Sequence, residues 1–255
     1  MFNPIIDNIE GYRARINEMR LNEFTIEGFP IPIVPGKLNT IVAPSHSGKT
    51  VYGMGLSMTL AREGYKTLFL TTEEDVLAFV EKTIGISIND EGFKNLSVVY
   101  VPSFNRETLV QFMNKVNEED FEFLVIDYLK KSMWEDYTSD HVVMEEINST
   151  LLKSIGNLSI FAMIQGNRDS FKAIGEESWK DLIATPSQVS VLIDGGMPAY
   201  RSADNLLFLR AYQGKREFLV AKCRRNNDLL GNTYSYDVNQ ITFKITMEEI
   251  PNELF

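Results

Sequence analysis

A single cysteine, Cys223, is all the thiol chemistry this chain carries. One thiol closes no intramolecular bridge, so a disulfide framework is excluded and a reducing cytosol is the expected setting. Positive charge is also scarce: Lys and Arg number 25 against 35 Asp and Glu, a net charge of −10. That balance excludes a surface coated in basic residues for duplex DNA, although a local basic channel remains compatible with it. No apolar run approaches the roughly 18 residues of a membrane-crossing helix. The opening Met1-Phe2-Asn3-Pro4 has neither the basic start nor the hydrophobic core of a secretory signal. No internal repeat or low-complexity tract occurs. A soluble, cytoplasmic protein without a membrane partner is therefore expected, and 255 residues suffice for one large domain or one domain with appendages.

What the chain does have is a phosphate-cradling motif. Residues 40–50 read Thr-Ile-Val-Ala-Pro-Ser-His-Ser-Gly-Lys-Thr. Leu38, Ile41 and Val42 end a buried strand, and Val51, Met54, Leu56, Met58 and Leu60 mark a helix packed on a sheet. Strand, loop and helix in that order are the context of a P-loop. Ala43, Pro44, Ser45, His46, Ser47, Gly48, Lys49 and Thr50 are accordingly the candidate nucleotide-binding residues. Backbone N–H groups from Ser45 to Gly48 would wrap the phosphates, with the positive end of the new helix behind them. Lys49 would reach the β- and γ-phosphates and the Thr50 hydroxyl would ligate Mg²⁺, so ATP and Mg²⁺ are the expected cofactors. One position departs from the motif: Ala43 stands where it normally begins with Gly, and a Cβ admits fewer backbone conformations. The structural alternative is an ordinary Ser/Gly turn before a helix.

Around that motif the chain alternates strands and helices. Residues 4–22 set Ile5, Ile6, Ile9, Tyr12, Ile16 and Met19 at near-helical spacing between charges, an amphipathic helix outside the main sheet. Three prolines and two glycines make residues 28–37 a stiff connector into the first core strand. Residues 66–72 read as the next strand, ending in Glu73, Glu74 and Asp75. Carboxylates at such a strand end sit on the ligand-binding edge of an open α/β sheet, where one can polarise the attacking water. For Glu74 and Asp75, an acidic cluster at a helix N-terminus is the preferred reading. A strand over 96–101 and a helix over about 107–116 follow. Residues 121–128 form an almost continuous apolar run, as expected of a central parallel strand. It ends at Asp127, the Walker B position that holds Mg²⁺ through water. A helix over 140–156 leads to a strand over 158–165 tipped by Gln165, placed to sense the γ-phosphate and pass that state onward. Residues 169–203 are irregular, and a loop of that length in a compact domain is usually functional. Basic and aromatic side chains in and beside it, Arg168, Lys172, Trp179, Lys180 and Arg201, are the candidate contacts to single-stranded nucleic acid, by phosphate pairing and stacking. Strands over 206–212 and 217–222 make a hairpin around Gly214. Lys222, Arg224 and Arg225 then form a basic cluster, and guanidinium groups suit transition-state phosphates. Residues 233–246 alternate as edge strands, with Tyr234, Tyr236 and Val238 followed by Ile241, Phe243 and Ile245.

Five pieces together resemble a known family: Val34-Pro35-Gly36-Lys37-Leu38, Pro44-Ser45 through Gly48-Lys49-Thr50, Val125-Ile126-Asp127-Tyr128-Leu129, Gln165 with Asn167-Arg168, and Lys222 with Arg224-Arg225-Asn226. They resemble the RecA-like core of DnaB-type hexameric replicative helicases over roughly residues 28–246. The resemblance implies an α/β P-loop NTPase fold: a mostly parallel central sheet flanked by helices, with a C-terminal antiparallel hairpin region. It divides the chain into an N-terminal helix and linker, 1–27, and an ATPase domain, 28–255. It implies that Glu73 is the catalytic base, and that Lys222 and Arg224 act on the nucleotide of the adjacent subunit. A homo-oligomer, a hexameric ring translocating on single-stranded DNA, is then expected, with a replication protein as a further partner. The family's N-terminal primase-interacting domain is expected to be missing, as in phage- or plasmid-encoded short forms, and residues 169–203 match the family's DNA-binding loops poorly. A recombination ATPase of the RecA or RadA kind and a regulatory or loader ATPase acting on a protein partner are the alternatives.

Overall fold

Odd and even residues of the central strands feed two separate cores. Along β1 (Leu38–Ala43), Leu38 and Val42 face one core while Ile41 and Ala43 face the other. Phe161 and Met163 of β5 (Ser159–Gln165) likewise oppose Ile160, Ala162 and Ile164. Side chains reverse direction at each residue of a strand, so a strand apolar throughout must be covered on both faces. The computed structural model that shows this describes residues 23–73, 75–83, 85–86, 90–129, 140–167, 189–190, 192–193, 196–212 and 214–250. The helix expected over 4–22, together with Glu74, Arg168, Lys172, Trp179 and Lys180, lies outside them.

The remaining elements are α1 (Lys49–Arg62), β2 (Thr67–Thr71), α2 (Val76–Thr83), α3 (Gly92–Asn95), β3 (Leu96–Tyr100), α4 (Arg106–Glu118), β4 (Phe123–Leu129), α5 (Asp140–Ser154), α6 (Met197–Ser202), β6 (Asn205–Tyr212), β7 (Lys215–Cys223), β8 (Thr233–Val238) and β9 (Ile245–Ile250). The strands form one nine-stranded sheet in the order β3-β2-β4-β5-β1-β6-β7-β8-β9. From β3 to β6 every pairing is parallel, and from β6 to β9 every pairing is antiparallel. The mostly parallel sheet with an antiparallel C-terminal region is the one expected. Strand β5 separates β1 from β4, so Gln165 stands between the phosphate loop and Asp127.

Helix α1 is apolar around its whole circumference and is buried from Tyr52 to Ala61. An apolar face in every direction requires cover in every direction. Met163 of the sheet lies on one side, so close that a Cβ on Gly53 would meet its Cε at 2.7 Å. On another side the chain from Phe243 to Ile245 closes over Gly55. Helix α4 starts with a capping box: Asn105 accepts from the Thr108 N–H, and the Thr108 hydroxyl accepts from the Asn105 N–H.

The C-terminal strands depart from expectation in one place. The alternation of Ile241, Phe243 and Ile245 belongs to a turn and not to a strand. The Asn239 side chain accepts from the N–H groups of Ile241 and Thr242, both at 2.9 Å, and pulls the chain round. Ile241 is left exposed and Phe243 takes a positive φ of 53°, while β9 begins only at Ile245.

Candidate active site

Parallel strands present their C-terminal ends on one edge, and that edge gathers most of the predicted residues. Ala43 pairs in register with Gln165, and Thr71 with Asp127. Ala43 is buried within regular strand geometry and needs no left-handed backbone, so its methyl is accommodated without strain. The loop beyond it folds on itself: the Ser47 hydroxyl donates to the Pro44 carbonyl at 2.7 Å, and His46 takes a φ of 63°. Gly48 follows with φ at 91°, the left-handed conformation that glycine adopts at least cost. It caps α1 without a side-chain acceptor, leaving the first-turn N–H groups to face outward for an anion.

Lys49 is only 8% exposed. Its Nζ donates to Gln165 Oε1 at 2.5 Å and to the Ala43 carbonyl at 3.4 Å, and lies 4.5 Å from the centre of the Tyr128 ring. Gln165 in turn donates from Nε2 to Ser45 Oγ at 2.8 Å, closing a bridge across the loop. Burial pushes the Lys49 amine below the ordinary lysine value, opposed by the carboxylates of Asp127 and then Glu73. A desolvated cation with two carboxylates nearby is electrostatically prepared for a phosphate and its counter-ion.

Asp127 is buried near the C-terminal end of β4, and the peptide joining it to Tyr128 is cis. Thr72 ties the exit of β2 to this end: its N–H donates to the Asp127 carbonyl at 2.9 Å and its hydroxyl to the Tyr128 carbonyl at 3.0 Å. Glu73 follows directly, exposed beside the loop, and Thr50 is half-buried in the first turn of α1. Asp75 plays the part expected of it, accepting from the Ala78 N–H at 2.9 Å at the start of α2.

Lys222 and Arg224 stand at the other edge. The Arg224 N–H donates to the Asp204 carbonyl, and the Asp204 N–H to the carbonyl of Leu38, where β1 begins. At ~3.3 Å per residue the length of β1 puts roughly 17 Å between this level and Ala43. The Lys222 amine is held by carbonyls at the end of α6, Tyr200 at 2.5 Å, Ala203 at 2.6 Å and Arg201 at 3.4 Å, and lies over the Tyr200 ring. Arg224 donates to the Arg201 carbonyl at 2.5 Å and pairs with Asp204 at 3.6 Å. Cations are favoured at a helix C-terminus, where carbonyls lack intrahelical partners. Burial, then Arg224, lowers the Lys222 amine to about 8, with Asp204 acting in the opposite direction. Of the five candidate nucleic-acid contacts only Arg201 is among the described residues, exposed on α6 at this same far edge.

The structure thus brings together Ala43 to Thr50, Glu73, Asp127 and Gln165, and keeps Lys222 and Arg224 apart from them. Sequence reading missed Thr72, whose two hydrogen bonds fix the approach of Glu73 to Asp127. It also missed Arg216 at the start of β7, which packs on Gly48. A signal existed for Arg216: it follows a short hairpin turn, and β7 runs antiparallel to strands that end at the phosphate loop.

No family model matches the sequence, and no curated protein sequence matches it. Solved structures do. An isolated ATPase domain of a DnaB-family helicase superimposes on 96% of this chain and over 99% of its own length, with a TM-score of 0.69 and 12% identity. A KaiC-like protein from the hyperthermophilic archaeon Pyrococcus horikoshii covers 85% of this chain and 91% of its own, with a TM-score of 0.63 and 15% identity. A DnaB-like replicative helicase, solved in a study of its interactions with primase, covers 83%, with a TM-score of 0.62 and 13% identity; this chain spans 59% of its length. The fold shared with all three is the RecA-like core.

Proposed function

We propose that this chain is the ATP-hydrolysing motor subunit of a ring-forming helicase of the DnaB type, moving on single-stranded DNA. The observation that carries the reading is the division of the sheet: phosphate loop, Glu73, Asp127 and Gln165 on one edge, Lys222 and Arg224 on the other. A subunit so built holds a nucleotide at one edge and offers its late cations to a neighbour. The same RecA-like core in the isolated helicase ATPase domain, matched over nearly the whole of both chains, supports it.

In this reading residues 28–255 are the ATPase domain and residues 1–27 an appended helix, and the protein works in the cytoplasm. ATP sits on the N–H groups of residues 45–50. Lys49 leaves Gln165 for the β- and γ-phosphates, so binding releases a bridge that already exists. Thr50 and Asp127 present hard oxygen donors, which fit Mg²⁺. When bound, Mg²⁺ neutralises charge on the transferring phosphoryl group. Glu73 accepts the proton of the attacking water, and Gln165, freed from Lys49, reports whether the γ-phosphate is present. Arg224 of an adjacent subunit stabilises the transition state, which makes turnover depend on ring assembly.

Steady-state ATP hydrolysis with and without single-stranded DNA, at low salt, tests the reading. Strong stimulation is the expected result, followed by unwinding in a strand-displacement assay. Stimulation without unwinding would favour a recombination ATPase. Turnover indifferent to DNA would overturn the helicase assignment and direct attention to a protein partner such as a replication factor.

A further inference from the structure

Arg216 lies against the phosphate loop of its own chain, and no role assigned above accounts for it. Strand β7 places it opposite Ala211 on one side and Tyr236 on the other, at the edge where β1 ends. A Cβ built on Gly48 would stand 3.6 Å from Arg216 Nε and 3.7 Å from its Cζ, so the guanidinium rests on the glycine that opens α1. The side chain is 27% exposed, and its ion pair is a loose one, 3.7 Å from an Asp237 carboxylate that is itself 80% exposed. Among the described residues the Arg216 side chain makes no hydrogen bond.

Arg210, on the neighbouring strand, shows what a structural arginine looks like in this sheet. Its Nε and Nη2 close on Glu217 Oε2 at 2.7 and 2.6 Å, with both side chains largely buried. Arg216 has no such closure. A guanidinium carries five donors in a planar fork that matches phosphate oxygens, and holding it unbonded beside an anion cradle leaves that capacity for a ligand. Any phosphate held by the N–H groups of Gly48, Lys49 and Thr50 sits within a few ångströms of Gly48, inside the sweep of a side chain already touching that residue.

We propose that Arg216 is a nucleotide-binding residue acting in cis, its guanidinium taking the α- and β-phosphates of a nucleotide seated on Gly48, with Asp237 holding it when the loop is empty. This rests on the phosphate-loop reading and adds to it a contact made in the ground state by the same subunit. It differs in kind from Arg224, which the sheet keeps for a neighbour. Because the α- and β-phosphates persist in ADP, Arg216 sets the affinity for product as much as for substrate.

The test is equilibrium binding of ADP and of a non-hydrolysable ATP analogue to the full chain, by calorimetry. Arg216→Ala and Arg216→Gln should weaken both ligands roughly tenfold, the effect of losing one charge-assisted hydrogen bond at a partly exposed site. Asp237→Asn, which removes the competing partner, should tighten both by about twofold to threefold. Unchanged affinities in the Arg216 variants would overturn the inference, and weakening of the ATP analogue alone would overturn it too, by moving the contact to the γ-phosphate. If the Arg216 variants fail to fold, Asp237→Asn decides: unchanged or weaker binding rejects the proposal. Lys49→Ala in the same assay separates the two layers. Loss of binding there with normal binding at Arg216→Ala defeats only the inference, whereas normal binding in Lys49→Ala defeats the phosphate-loop reading beneath it.

Discussion

Lys49 and Lys222 sit at opposite edges of one sheet, both sheltered and both with their amines pushed below the ordinary lysine value, yet they are held by different kinds of partner. Lys49 is held by the side-chain amide of Gln165, a group on a strand tip that can let go. Lys222 is held by main-chain carbonyls of Tyr200 and Ala203, the ends of a helix. The first arrangement exchanges one polar partner for a phosphate at little cost, because a charged donor gains a charged acceptor. The second must be undone before it can serve anything else, because the Tyr200 and Ala203 carbonyls lose their donor. The near edge is therefore poised for a ligand, and the far edge is an anchor that doubles as a reserve of positive charge. The two edges are linked through one segment: the chain leaves Gln165, bridges Gly166 to Ile193, and returns through α6 to the carbonyls that Lys222 and Arg224 grip.

The sharpest way to break this contrast is at its two strongest points. Lys49→Ala should abolish both nucleotide binding and turnover, and surviving turnover would remove the chemical role of the near edge altogether. Arg224→Ala should lower turnover on the order of a thousandfold, as loss of an arginine acting in trans does elsewhere in phosphoryl transfer, while leaving nucleotide affinity close to normal. A parallel loss of affinity and turnover at Arg224 would reduce it to a cap on α6. Mixing Arg224→Ala subunits with Lys49→Ala subunits should restore part of the turnover, since the intact loop of one then meets the intact arginine of the other.

What the sequence made legible was whatever is encoded within a few residues. The phosphate loop, the apolar strand ending at Asp127 and the polar tip at Gln165 each carry their own local pattern, and all three landed on one edge because parallel strands align their ends. Asp75 was readable as part of an acidic helix N-terminus for the same reason. The grip of Lys222 on Tyr200 and Ala203 was not, because it depends on α6 and β7 meeting, and no local pattern records that. Arg216 was hidden by a longer chain of dependence: it reaches Gly48 only because β6 joins the sheet beside β1 and β7 folds back along it. The false strand through Ile241 failed on a single side chain. Alternation of Ile241, Phe243 and Ile245 satisfied the strand pattern, and the Asn239 carbonyl oxygen outweighed it by binding two successive N–H groups.

A smaller effect is expected at Gln165, where the contrast can be sharpened without destroying the site. Gln165→Ala removes the bridge from Lys49 to Ser45, so Lys49 loses its resting partner while keeping its place in α1. Nucleotide binding should stay within a few-fold of normal, and turnover should fall roughly a hundredfold, the cost of one positioned polar group in a transition state. Stimulation by single-stranded DNA should disappear as well if the segment beyond Gln165 carries the signal. Unchanged turnover would leave Gln165 as a mere strand ending.

The smallest effect is a pH dependence that separates the anchoring role of Lys222 from its reserve role. Its amine is lowered from 10.5 to about 8, by burial first and the Arg224 charge second. Between about 8 and 10.5 the unfolded chain therefore binds more protons than the folded one, and stability rises with pH across that window. Turnover should move the other way if Lys222 serves a neighbour's nucleotide, because the ammonium loses its charge as pH climbs through about 8. Thermal melting and ATP hydrolysis measured from pH 7 to 10 then diverge, the first improving as the second declines. Lys222→Arg keeps the charge throughout and should flatten the decline in turnover. A melting curve that improves while turnover stays level would confine Lys222 to the end of α6 and leave Arg224 as the far edge's sole contribution to catalysis.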